Sequence, residues 1–217
     1  MSVFLSRRRQ SKISGQDFDG SYILSYYDPG EQTTEMLSVS GSLSKGIERI
    51  GGVLTLFPSF VRSASSMLRN GITIPYSSDS YFLRGRVNSR ISSNLNLIYE
   101  ASYSHSKHQM EANRQYFSTN RLSESLKITY SPIKSFQIGY TFDHYCNQLS
   151  SGNYKHFFFS DVSFSLLSGN RWELALYVKN MFDERYYSYF VESELTSLYR
   201  SYRIRPGNML LSATYRF

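Results

Sequence analysis

The chain has 217 residues, a formal net charge of +7, 41 % apolar and 16 % aromatic residues, and one cysteine. The apolar share is thin for a soluble core, no stretch approaches the ~20 apolar residues of a membrane helix, and a single Cys146 excludes an internal disulfide. The basic residues sit at predicted strand ends or on the polar parity of strands and form no single cluster, which argues against a nucleic-acid surface.

Residues 1–17 are polar and read as an irregular segment. Arg7, Arg8 and Arg9 follow the apolar Val3-Phe4-Leu5, the reverse of secretory-signal order. From residue 18 onward the chain alternates apolar and polar residues, with no sustained helical spacing. Strands are predicted at 19–27, 34–44, 50–62, 80–90, 94–105, 120–130, 135–146, 156–167, 171–180 and 202–217, which makes ten. In the segment 94–105, Leu95, Leu97, Tyr99, Ala101 and Tyr103 oppose Asn96, Ile98, Glu100, Ser102 and Ser104. Phe136, Ile138, Tyr140 and Phe142 oppose Gln137, Gly139 and Thr141, and Leu174 and Leu176 share one parity. The last strand carries Met209, Leu211, Ala213, Tyr215 and the terminal Phe217 on one side.

The predicted connections alternate short and long. Short ones fall at 45–49, 91–93, 131–134 and 168–170, with turn residues such as Gly46, Pro132 and Gly169. Long ones fall near 63–79, 106–119, 147–155 and 181–201. Tight turns at one rim, long loops at the other and an aromatic-ended last strand form the pattern of a transmembrane β-barrel. The expected lipid face is Leu43, Leu95, Leu97, Phe136, Ile138, Leu174, Leu176, Leu211 and Phe217, with Tyr81, Tyr99, Tyr103 and Phe142 in the interfacial girdle. Arg84, Arg86, Arg90, Lys127 and Lys179 fall on the lumen parity, where plug carboxylates, or Glu100 and Glu173 across the lumen, would pair with them.

Val178-Lys-Asn-Met-Phe-Asp-Glu-Arg-Tyr186 resembles the V-x-N-L-F-D-x-x-Y run at the end of the penultimate strand of TonB-dependent outer-membrane receptors. The conserved-type positions of that run fall here on Val178, Asn180, Phe182, Asp183 and Tyr186. Tyr202-Arg-Ile-Arg-Pro-Gly-Asn208 and the terminal strand are similar to the ending of that family, in the form common in Bacteroidetes, although Asn208 stands where an arginine is frequent. The resemblance implies the C-terminal ten strands or so of a larger, plugged barrel in the outer membrane of a Gram-negative bacterium. It implies energy-coupled uptake of a large scarce ligand: an iron chelate, a cobalamin or a glycan. Its partners would be outer-membrane lipid and lipopolysaccharide, the barrel-assembly machinery, a plug domain and the TonB complex. Residues 18–217 would be the partial barrel, without plug or coupling box, and not transport-competent alone. The alternative is a self-sufficient ten-stranded barrel acting as pore, adhesin or enzyme.

No motif points to a cofactor, a metal or catalysis. Asp143 and His144 are neighbours on a strand and point to opposite faces. His105 and His108 are spaced for a shared helix face but read as loop residues. Asp161 is inward by parity and isolated. Asn180 and Asp183 are expected to cap the turn that leaves their strand, and Pro206-Gly207 to open the last one.

Overall fold

A computed structural model describes residues 1–18, 22–110, 115–150, 152–168, 171–192 and 197–215. The described residues form thirteen β-strands and one 3-10 turn. The strands are β1 (Ser2–Phe18), β2 (Ile23–Ser40), β3 (Leu43–Ile47), β4 (Gly52–Arg69), β5 (Ile72–Ser92), β6 (Leu95–Met110) and β7 (Gln115–Ile133). They continue with β8 (Phe136–Ser150), β9 (Asn153–Ser168), β10 (Trp172–Lys179), β11 (Tyr186–Glu192), β12 (Ser197–Arg203) and β13 (Asn208–Tyr215). The fold is all-β and antiparallel, as expected. One sheet runs β1-β2-β4-β5-β6-β7-β8-β9-β10-β13, with β3 also on β4, while β11 and β12 form a separate ribbon. The sheet is open: β1 and β13 are its edges.

Cross-strand register places every side chain on one of two faces. One row passes through Leu43, Leu56, Gly85, Ala101, Glu124, His144 and Phe158. A lower row passes through Leu95, Tyr130, Ile138, Phe164, Leu176 and Leu211. Eight of the nine expected lipid-face residues thus share one face; Phe217 lies outside the described residues. The opposite face carries rows such as Thr55, Arg86, Glu100, Ser125 and Asp143. No helix or second sheet covers the middle of the apolar face among the described residues: Leu83 is 49 % exposed and Leu211 73 %.

Several expectations need correction. Residues 1–17 are not irregular: they form β1, paired with β2 from Ser2–Ser40 to Phe18–Ile23. The segments 19–27 and 34–44 are not separate strands, because 23–40 is the single strand β2. The main path still has ten strands, because β1 joins it while 19–27 and 34–44 give way to the single strand β2. The connections near 63–79, 106–119 and 147–155 are mostly strand. β4 and β5 meet at a tight turn, Asn70-Gly71, with φ of 49° and 75°. The region 181–201 holds β11 and the start of β12. Outside the apolar belt both faces are polar, as at Ser63, Ser65, Ser66, Ser77 and Ser78. Alternation then carries no signal, although the hydrogen-bond ladder continues.

Pro58 explains the break between β2 and β3. Its ring removes the amide hydrogen that would bond the neighbouring strand. The facing chain departs at Gly41-Ser42 and keeps one bond, from the Gly41 amide to the Pro58 carbonyl at 3.0 Å. At the other end of β2 a second departure occurs. Its pairing with β4 stops at Glu35–Ala64, and β1 then meets β4 directly through Gly15–Leu68. The hairpin tip therefore turns onto the polar face of β4. Gln32, 6 % exposed, donates from Nε2 to Ser66 O at 2.6 Å and to Ser14 and Ser65 Oγ at 3.3 Å. Asp17 accepts from the Asn70 amide at 2.7 Å.

Gln32→Leu should leave these groups unpaired, cost about 1–3 kcal/mol and release the tip. Amide exchange at residues 12–17 is expected to accelerate while that at 59–63 does not change. Equal protection in wild type and variant would show that the tip is held by something else.

Candidate functional site

The run from Val178 to Tyr186 builds a clamp between the end of β10 and the start of β13. Val178 belongs to the apolar face through Met209. Asn180 follows β10 in left-handed backbone, φ 52°, which asparagine tolerates well. Its side chain donates to Glu184 O at 2.8 Å and Arg205 O at 2.9 Å and accepts from the Glu184 amide at 3.1 Å. Its own amide donates to Asp161 Oδ1 at 2.8 Å, so Asp161 is not isolated. Asp183, also left-handed, accepts from the Gly207 amide at 3.1 Å and from Arg185 at 2.9 and 3.1 Å. A Cβ at Gly207 would stand 3.0 Å from the Asn180 carbonyl, which favours glycine there. The Arg185 hydrogen bonds, then that from Gly207, hold the Asp183 carboxyl below its ordinary range. Phe182 is exposed, its ring 6.3 Å from that of Phe142, and Tyr186 begins the ribbon. The expected capping role of Asn180 and Asp183 is what these bonds describe.

Met209, Leu211, Ala213 and Tyr215 lie on one face of β13, opposite Val178, Leu176, Leu174 and Trp172. Phe217 falls outside the described residues. Arg84, Arg86, Arg90, Lys127 and Lys179 all fall on the polar face by register. Arg84 pairs with Glu100 at 2.7 Å on the adjacent strand, rather than across an interior.

The β11–β12 ribbon, in the region predicted as a long loop, folds onto the upper polar face of β7, β8 and β9. Tyr187 drives it, with its ring 5.0 Å from Phe157 and 5.5 Å from Tyr145. Phe157 is fully buried, and buried Asn147 donates to Ser188 O at 3.1 Å. Beside this contact lies a polar cleft of about 230 Å³ lined by Ser106, His108, Thr119, Arg121, Asn147 and Tyr189, among others. Asn147 is 1 % exposed, and its Oδ1 has no partner. Buried His108 Nδ1 also has none, and burial lowers the pKa of that ring, keeping it neutral at neutral pH. The Arg121 guanidinium stands 5.2 Å from the centre of the Tyr189 ring and makes no ion pair among the described residues. Hydrogen bonds from Tyr202 and Arg200 lower the pKa of Tyr189.

Polar side chains also line up on the apolar face. Tyr99 donates to Glu124 at 2.6 Å, Glu124 meets His144 Nδ1 at 2.8 Å, and His144 Nε2 meets His156 Nδ1 at 2.9 Å. His156 Nε2 lies 3.8 Å from Cys146 Sγ. The two imidazole planes differ by 4°. Only cross-strand register reveals this line, since Glu124 faces His144 and Cys146 faces His156. Asp143 and His144 occupy opposite faces, as expected. His105 and His108 lie on strand β6 rather than in a loop, and their odd spacing sends them to opposite faces. No group of three metal-ligating side chains converges among the described residues. No family model matches this chain, and no curated protein or solved structure matches it.

Asn180→Ala removes three side-chain hydrogen bonds and leaves alanine in left-handed backbone. It should lower stability by about 2–4 kcal/mol, read as the shift in urea midpoint; an unchanged midpoint would rule out a structural clamp. Because the Asp183 pKa is depressed, its contribution is present at neutral pH and is lost only as pH falls through that lowered value. Stability plotted against pH for wild type and Asp183→Asn should keep a constant offset above the ordinary carboxylate range and converge below it.

Proposed function

We propose that the chain is the C-terminal barrel part of a TonB-dependent outer-membrane receptor. It would serve energy-coupled uptake of a large scarce ligand such as an iron chelate, a cobalamin or a glycan. The observation that carries this reading is the apolar face, which keeps one side of the sheet from β2 to β13, is exposed in its middle, and is backed by a polar face. Water does not tolerate so wide an uncovered apolar surface, whereas hydrocarbon does. Backbone groups survive in hydrocarbon because strand pairing satisfies them.

The proportions support the same assignment. A tilted strand crosses the bilayer in ~9–11 residues. β4, β5 and β7 have 18, 21 and 19 residues, so about half of each stands outside the belt. The tight turns at 48–51, 93–94 and 134–135 mark the periplasmic rim, and the tall strand ends mark the outer one. Phe60, Tyr81 and Tyr103 form part of the outer aromatic girdle, with the Phe60 and Tyr81 rings 4.9 Å apart. The clamp at Asn180 and Asp183 is the feature that favours the receptor over other barrels. On this reading the free edges of β1 and β13 are seams to the rest of the barrel, which would surround the plug and signal to the TonB complex.

Leu176→Arg places a charge on the lipid face near mid-strand and should cost ~2–4 kcal/mol of membrane stability. Lys179→Ala, on the lumen side, should change little. Insertion assays that respond equally to both would overturn the face assignment. Made alone and solubilised in detergent, the chain is expected to associate through its open edges and show no discrete conductance. A monomeric, heat-modifiable species with stepwise conductance would instead identify a self-sufficient barrel.

A further inference from the structure

We infer that the polar cleft under the β11–β12 ribbon binds one anionic sugar residue, a hexose-sized ring bearing a carboxylate or phosphate. The inference rests on reading the polar face as the barrel lumen, and it names the part of the ligand that this wall of the lumen recognises.

The cleft is built to accept donors. Asn147 Oδ1 is almost completely buried and unpaired, while its Nδ2 is held by Ser188 O. A buried acceptor left bare costs about 1–3 kcal/mol, so a ligand hydroxyl that donates to it recovers a penalty the empty site carries. Neutral His108 offers a second unpaired ring nitrogen on the same wall. Ser106 and Thr119 add hydroxyls. A ligand carrying several hydroxyl groups on a short frame meets this set.

Arg121 supplies the charge preference. It faces the cleft without an acidic partner among the described residues, and the Tyr189 ring lies against it. A guanidinium so placed can bind a carboxylate or phosphate through two parallel hydrogen bonds. The Tyr189 ring gives an aromatic surface against which the C–H face of a sugar ring packs. The volume, about 230 Å³, corresponds to about eight waters at ~30 Å³ each. That holds one ring and excludes an entire cobalamin or iron chelate, so the cleft takes a terminal residue of a larger molecule. With no three metal-ligating side chains converging among the described residues, direct metal recognition here has no support.

The test is saturation-transfer NMR on the detergent-solubilised full chain, with glucuronate, glucose 6-phosphate, glucose and citrate as probes. Glucuronate and glucose 6-phosphate are expected to bind, glucose about tenfold more weakly, corresponding to one charge-assisted contact, and citrate not at all. The tighter of the two acids identifies the anion as carboxylate or phosphate. Arg121→Gln should bring both acids to the level of glucose while glucose itself is unchanged, which also shows that the variant is folded. Asn147→Leu should weaken all three sugars together. Citrate binding as well as glucuronate, or glucuronate indifferent to Arg121→Gln, would overturn the proposal. Loss of sugar binding with Leu176→Arg and Lys179→Ala behaving as expected refutes the sugar site alone. Sugar binding with the opposite membrane result refutes the receptor reading alone.

Discussion

The cross-strand hydrogen-bond ladder is the constraint on which everything else depends. Because side chains alternate with a period of two, the register of each pair decides which residues share a face, and a slip of one residue would exchange the faces. Here the register holds from β2 to β13 without such an exchange. Leu43 on one side and Leu211 on the other belong to the same surface. The irregularities at Arg90/Ser92, Tyr130/Ile133 and Gln148/Ser150 fall toward strand ends, and the one at Gln10/Lys12 lies mid-strand in β1. The apolar belt lies between them and is left undisturbed.

Two departures from the plain ladder give the sheet its polar-side relief. Pro58 interrupts pairing at Gly41-Ser42, and the loss of β2–β4 pairing above Glu35–Ala64 lets the β1–β2 tip turn inward. On the opposite flank the β11–β12 ribbon turns inward too, anchored by Tyr187 and Asn147. The cleft around Arg121 is bounded by that ribbon, and the ribbon in turn depends on the clamp at Asn180 and Asp183. The clamp hydrogen-bonds the exit of β10 to the approach of β13, so the ribbon leaves and returns at a fixed place. The shape of the cleft on the polar face is thereby tied to side-chain to backbone contacts at the rim.

The polar line from Tyr99 to Cys146 sits differently. It interrupts the apolar face at the level of Phe142 and Phe158, where a girdle would meet headgroups. Phe158 stacks 4.8 Å from His144, so the imidazoles have an aromatic cover on one side. Carboxylate, imidazoles and thiol satisfy one another there, which suits a surface offering little water.

Residue pattern alone determined the all-β class, the two parities and their chemistry, because a sheet with one apolar and one polar face demands alternation inside the belt. It also determined the capping chemistry of Asn180 and Asp183, which is local and rests on side chains that reach their own backbone. It did not reveal β1, whose Arg7, Arg8 and Arg9 carry no alternation, or the strand extensions beyond the belt, where serine serves both faces. Contacts between residues distant in the chain were decided only by the tertiary structure. Arg84 with Glu100, Glu124 with His144, and Asn147 with Ser188 follow from which strands lie side by side and where the ribbon folds. A period of two states which way a side chain points; only the assembled ladder states what it meets.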